Sequence, residues 1–250
     1  MKIIPLSEGS FTIDKTKKFI PFDTDSDNLQ ERPVGSLLVE VQPFVVVTAE
    51  DVLLLDTGLG FPGRDGAALQ LYDNLAAQGI LPGDITKVLL THLHKDHAGA
   101  VGLPVAGGGE AVEPAFPRAT YYVQRAELEQ ALEKPSSSYI REDIACLANN
   151  PRVLLLEGEG VIDGYIKYAR SGGHSPFHQV FWIVDGGETV FFGGDEAPQL
   201  QQMKSRFVAK YDFDGRKAME LRQTWWEQGR QEGWIFLFYH DIKTPYYPQD

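Results

Sequence analysis

A single cysteine, Cys146, occurs in the 250 residues, so no intrachain disulfide can form. A small buried apolar role is expected of it rather than a reactive thiol. No apolar run approaches the roughly 18 residues that a bilayer-spanning helix needs. Met1-Lys2-Ile3-Ile4-Pro5 reaches Ser7 and Glu8 without the apolar stretch of an export signal. A cytoplasmic protein with no membrane partner is therefore expected. Positive charge is also short, with 23 Lys and Arg against 35 Asp and Glu, a formal net charge of −12. Such a surface repels phosphate backbones, and no nucleic-acid partner is expected.

What is present suffices for one core. Forty-three per cent of the residues are hydrophobic, and a chain of this length can form a single domain over residues 1–250. Strand-like runs cover 36–40, 44–48 and 52–55. Val52-Leu53-Leu54-Leu55 is apolar at consecutive positions, as in a strand covered on both faces. Further strands are expected at 88–90, 120–124, 153–156, 180–184, 189–192 and 234–239. Helices are expected at 67–78, 125–134, 139–148 and 215–228. Strands followed by helices in both halves indicate an α/β sandwich of sheets with helices outside.

The chain has six histidines, and three of them fall in Thr91-His92-Leu93-His94-Lys95-Asp96-His97. Residues two apart on an extended segment point the same way, so His92, His94 and Asp96 can converge where a strand gives way to a loop. Imidazole and carboxylate are the ligands that a borderline cation such as zinc prefers. A polar surface loop is the simpler reading, but this pattern arises by chance in roughly one in a few thousand chains of this size. Lys95, between the ligands, is expected to point to solvent. His174 follows Gly172-Gly173, His240 ends an apolar run, and Asp195 follows Gly193-Gly194, whose small residues let the backbone approach closely. Asp56, at the end of Val52–Leu55, is as well explained by capping a turn as by a site.

Together Asp56-Thr57-Gly58, His92-x-His94-x-Asp96-His97, Gly173-His174-Ser175-Pro176, Gly194-Asp195 and His240 resemble the five ordered motifs of the metallo-β-lactamase superfamily. The resemblance implies an αββα four-layer sandwich with its site at one edge. It implies two divalent metal ions, zinc first and manganese or iron as alternatives. His92, His94 and His174 would hold one ion, Asp96, His97 and His240 the other, and Asp195 would bridge them. Asp56 and His178 would support the ligands from outside. A water shared by the ions would be the nucleophile, with Asp96 or Asp195 handling the proton at the leaving group.

Leu81-Pro82-Gly83-Asp84-Ile85, Tyr122–Leu128, Tyr211–Ala218 with Arg222, and His240-Asp241 resemble the acyl-homoserine lactonase and phosphotriesterase-like group. The implied substrate is a small molecule with an ester or lactone bond, such as an N-acyl homoserine lactone. Two departures stand out. Pro198 occupies a position where lactonases of this group carry a tyrosine, and Phe177 replaces a glycine. Phosphotriester or phosphodiester hydrolysis, a glyoxalase II-like thioesterase, and a non-catalytic metal- or ligand-binding protein are the alternatives. Trp225, Trp226, Trp234, Phe236 and Phe238 are read as core and interface packing before an acyl pocket. An exposed aromatic loop in this kind of protein would accompany a homodimer.

Overall fold

The computed structural model describes residues 1–64, 66, 68–104 and 112–248. Two six-stranded sheets dominate it. The first runs in the order β1 (Lys2–Pro5), β5 (Phe44–Val47), β6 (Val52–Leu55), β7 (Lys87–Leu89), β10 (Thr120–Gln124), β11 (Val153–Leu156). The second runs β12 (Glu159–Ile162), β13 (Ile166–Arg170), β14 (Gln179–Asp185), β15 (Glu188–Phe192), β16 (Ile235–Leu237), β17 (Tyr246–Tyr247). Three strands, β2 (Gly9–Ile13), β3 (Phe19–Pro21) and β4 (Leu37–Val41), form a small sheet, and β8 (Gly102–Pro104) pairs with β9 (Val112–Pro114). Strands β6, β7, β10 and β11 are mutually parallel, as are β15 and β16.

Side-chain alternation divides each sheet's residues between two cores. Phe44, Val46, Leu53, Leu55 and Leu89 face Phe181, Ile183, Val190, Phe192 and Leu237 of the other sheet. Val45, Leu54 and Val88 turn outward onto α1 (Gln70–Ala77) and α3 (Arg125–Glu133), through Leu71, Leu75, Leu128 and Ala131. On the far side, Phe191, Trp234, Phe236 and Phe238 pack with Trp225 of α6 (Gly215–Glu232). The late aromatic residues are thus packing, as their composition suggests. Each sheet has a helix layer behind it, which gives the expected αββα order. Cys146 is buried and unpaired.

Several boundaries differ from the sequence reading, each for a local reason. The helix expected over 67–78 begins only at Gln70. Gly63 takes a backbone bond from its N–H to Ala68, and the Gln70 N–H bonds to Phe61, which holds this stretch as a loop. Ala67 lies outside the described residues. The helix expected over 139–148 is a short α4 (Arg141–Ile144) with a 3-10 tail, Ala145–Leu147, because Ile140 is extended. The strand expected to reach Tyr239 stops at Leu237. The Phe238 N–H pairs with Pro245 and the His240 N–H with Pro198, so the chain peels away just before its histidine. α6 runs four residues past its expected end and closes at Gly233, whose φ of 72° suits a left-handed cap.

Candidate metal centre

Ligand-type residues collect where central parallel strands end. β6 delivers Asp56, β7 leads through Thr91 to His92, β15 leads to Asp195, and β16 leads to His240. His174 comes from the connection between β13 and β14. Carboxyl ends of parallel strands are a recurrent place for sites, since the chain turns there without neighbours. Asp56 itself turns at φ 54° while its N–H still pairs with Leu89. Gly194 takes φ 48°, and a Cβ there would lie 2.7 Å from the Thr91 hydroxyl oxygen. Only glycine lets this loop press against β7's exit and bring Asp195 into the cluster.

His92, His94, His174 and Asp195 form one group, and Asp96, His97 and His240 a second. In the first, Nδ1 of His94 lies 2.9 Å from Nε2 of His92 and 3.2 Å from Nε2 of His174. Oδ2 of Asp195 is 3.2 Å from Nε2 of His174 and 4.0 Å from Nε2 of His92. In the second, Oδ2 of Asp96 is 3.7 Å from Nε2 of His97 and 3.6 Å from Nε2 of His240. Oδ1 of Asp195 completes it, 3.1 Å and 2.9 Å from the same nitrogens. A tetrahedral ion with nitrogen and oxygen at about 2.0–2.2 Å spaces its ligand atoms by about 3.3 Å. The ligand-atom separations straddle that value in both groups. Nε2 of His97 and Oδ1 of Asp195 are buried and make no hydrogen bond, a costly arrangement unless a cation serves both. The donor set therefore fits divalent cations.

The nitrogens facing away from the cluster are held in turn. Nδ1 of His92 meets the Thr91 hydroxyl at 3.0 Å, and Nδ1 of His97 meets Oδ2 of Asp56 at 2.8 Å. Nδ1 of His174 meets Oδ1 of Asp212 at 2.9 Å, and Nδ1 of His240 meets the Glu40 carbonyl at 2.6 Å. Such partners fix ring orientation and leave the inward nitrogen free to ligate. Asp56 also accepts from the Thr91 N–H and hydroxyl, each at 2.7 Å. It orients the exit of β7 and is not a turn cap. Tyr239 stacks on His97 at 4.1 Å and donates its hydroxyl to the Asp96 carbonyl at 2.6 Å.

Burial pushes His92 and His94 well below the usual imidazole range, and the neighbouring imidazoles push the same way. Both are neutral near pH 7 and keep a lone pair for a cation. Burial opposes protonation at His97, His174 and His240 as well. There the Asp195 carboxylate, helped by Asp96 at His97 and His240 and by Asp212 at His174, raises all three. Asp195 is held well below its usual range: burial opposes this, but His240, His97 and His174 outweigh it. These acids attract positive charge that a divalent cation would supply in place of protons. Beside them Glu8 is pushed up to about 7 by burial, while its Oε2 accepts the Leu59 N–H at 2.6 Å.

All seven residues expected as ligands converge. His178 stays outside both groups: its ring is 4.8 Å from that of His92, and its Nδ1 meets the Ser171 hydroxyl at 3.0 Å. Lys95 departs from expectation. It opens a short helix, α2 (Lys95–Ala98), so strand alternation does not apply to it. Its Nζ donates to the Lys17 carbonyl at 2.5 Å and lies 5.6 Å over the Phe19 ring. Pro198 presents its carbonyl to the His240 N–H at 3.0 Å. Sequence reading missed Glu8, Thr91, Asp212 and Tyr239. Their contacts cross 30 or more positions of sequence, and only Thr91, directly before His92, carried a local signal.

Comparison with known proteins agrees with this geometry. The family model described as Metallo-beta-lactamase superfamily matches residues 39–240. N-acyl homoserine lactonase AiiA of Bacillus thuringiensis subsp. kurstaki is 26% identical, over 90% of this chain and 92% of its own. N-acyl homoserine lactonase AttM of Agrobacterium fabrum is 32% identical over 44% of this chain and 40% of its own. In fold, a probable metal-dependent hydrolase from Staphylococcus aureus superposes with a TM-score of 0.77 at 23% identity, covering 98% of this chain and 91% of that one. AidC, a dizinc quorum-quenching lactonase, gives 0.71 at 19% identity, covering 98% and 88%. With its motifs in order and its ligand-type residues converged, the chain belongs to the metallo-beta-lactamase superfamily, as a metal-dependent hydrolase.

Proposed function

We propose that this chain hydrolyses the carbonyl of a lactone or ester, and that N-acyl homoserine lactones are its first candidate substrates. In this reading His92, His94 and His174 hold one divalent cation, Asp96, His97 and His240 a second, and Asp195 joins them. The observation that carries it is the position of Asp195, with Oδ2 beside the first group and Oδ1 beside the second. The lactonase relatives, 26% identical across most of the chain, support the choice of bond. Zinc suits the nitrogen and oxygen donors best, and manganese or iron accept the same set.

Bound cations would acidify a shared water toward neutral pH and polarise the carbonyl oxygen. The chain's own residues do the rest. His92 and His94 stay neutral because they are buried, and Thr91 and Asp56 keep their neighbours turned inward. Asp96, 13% exposed at its side chain and pinned at its carbonyl by Tyr239, or Asp195 beside it, would take the proton released by the attacking water and pass it to the leaving oxygen. Tyr239 also walls His97 from water by stacking on it.

The test is acid release, followed by pH-stat, when zinc- or manganese-loaded protein meets a medium-chain acyl-homoserine lactone, with Asp96→Ala alongside. Release by wild type alone supports the proposal. No release from protein carrying both ions would make the lactone reading wrong and bring aryl esters, phosphotriesters and thioesters forward. A loaded protein that binds lactone without turnover would instead be a binding protein.

A further inference from the structure

His174 is restrained at its backbone N–H, its carbonyl and its outward ring nitrogen. Its N–H and that of Gly173 both donate to Oε1 of the buried Glu196, the first of these at 2.9 Å. Its carbonyl accepts from the Phe213 N–H at 3.0 Å, and the neighbouring Gly173 carbonyl accepts from Asp214 at 2.7 Å. Its outward nitrogen meets Oδ1 of Asp212, whose side chain is 1% exposed. These contacts bind residues 212–214, just ahead of α6, to a ligand contributed from a distant loop.

Asp212 has no local reason to be buried. Its Oδ2 is sealed from solvent without a hydrogen-bond partner. Arg222 of α6 is fully buried as well. The guanidinium is tied by Nη1 to the Glu196 carbonyl at 2.9 Å and by Nη2 to the Phe207 carbonyl at 2.6 Å, and its Nε is left without a partner. A buried carboxylate and a buried guanidinium, each with an unused atom, are expensive to keep unless they serve something nearby. What lies nearby is the Nδ1 of His174.

We infer that Asp212 is a positioning residue for the cation held by His92, His94, His174 and Asp195. The carboxylate takes the Nδ1–H of His174, fixes the tautomer whose lone pair is on Nε2, and makes that nitrogen a stronger donor. One metal-facing histidine is thereby governed by the segment just ahead of α6, which supplies no ligand. The inference rests on the metal reading above and adds to it a residue that touches neither ion nor substrate.

Zinc binding by the whole chain, measured in competition with a chromophoric chelator at pH 7.5, separates the two readings. Wild type is expected to bind two ions. Asp212→Ala is expected to bind one as wild type does and the other about 10- to 100-fold more weakly. Asp212→Asn keeps the shape and an accepting oxygen but loses the charge, and should fall between them. Asp214→Ala, which removes the α6 cap bond to the Lys217 N–H, should lower the melting temperature and leave both affinities unchanged. If wild type binds no zinc, the metal reading fails. If wild type binds two ions and Asp212→Asn, folded, binds both equally well, the inference about Asp212 is overturned. Should Asp212→Ala fail to fold, Asp212→Asn decides alone.

Discussion

Strands β6 and β7 carry a polar cluster at each end, and the two clusters are built on opposite terms. At the amino ends, Asp51 precedes β6 and Lys87 opens β7, 2.5 Å apart. Asp163 adds a second carboxylate to Lys87 at 3.1 Å, Thr86 donates its hydroxyl to Asp51 at 2.7 Å, and so does Tyr165. Burial would raise the Asp51 carboxyl, but Lys87, Tyr165 and Thr86 hold it down. At the carboxyl ends, Asp56, Asp96 and Asp195 meet five histidines with no lysine or arginine paired to them among the described residues, and His97 and Asp195 keep buried atoms unbonded. A cluster complete in itself holds the fold together. One that is short of a cation, on the same two strands, is a place for binding.

That contrast can be broken by substitution. Asp195→Ala removes the only carboxylate shared by both groups, so hydrolysis should fall to the buffer background and bound metal to one ion or fewer per chain, by assay and metal analysis. Retained activity would dissolve the contrast at once. Glu8→Gln tests the acidity surrounding the site in metal-free protein. Below pH 4.5 Glu8 is neutral whether folded or unfolded. Between 4.5 and about 7 the unfolded chain releases a proton that the folded chain keeps, so stability falls as pH rises, and above about 7 the loss is complete. Urea unfolding should therefore find Glu8→Gln slightly more stable than wild type at pH 5 and more stable by about 3 kcal/mol at pH 8.

Asp56→Asn keeps a side chain that tolerates the positive φ at this position but removes the charge behind His97. Chelator competition should show about 10- to 100-fold weaker binding in the Asp96, His97 and His240 group. At the opposite end, Asp51→Ala leaves Lys87 with the more exposed Asp163 alone and strands the Tyr165 hydroxyl. Unfolding should show a loss of about 1–3 kcal/mol, with metal content and kcat unchanged. An Asp51→Ala enzyme with lost metal would mean that the two ends are not independent.

What could be read from sequence follows from how local each signal is. His92, His94, Asp96 and His97 declare themselves because four ligands fall in six positions. Asp56, Asp195 and His240 are legible because each follows an apolar run that marks a buried strand, and His174 because glycines precede it. The layers are legible too, since 44–47 and 52–55 are apolar at consecutive positions, as strands covered on both faces must be. The first two strands of the second sheet are not legible. Glu159–Ile162, at its edge, and Ile166–Arg170, next to it, mix charged and apolar residues, because one face of each meets water. Asp212 and Arg222 stand in a stretch that resembles the lactonase group, but nothing local to them gives either a role. Their meaning lies in contacts to His174 and Glu196, 38 and 26 positions away. Lys95 misled for a related reason: alternation presumes a strand, and the chain turns helical there.

Metal stoichiometry tests the central claim most directly. Protein purified, loaded with zinc and dialysed should carry two ions per chain by plasma mass spectrometry, unchanged in Asp51→Ala and reduced in both His174→Ala and His240→Ala. Wild type that retains no zinc, manganese or iron, or an Asp195→Ala variant that still retains two ions, would contradict it.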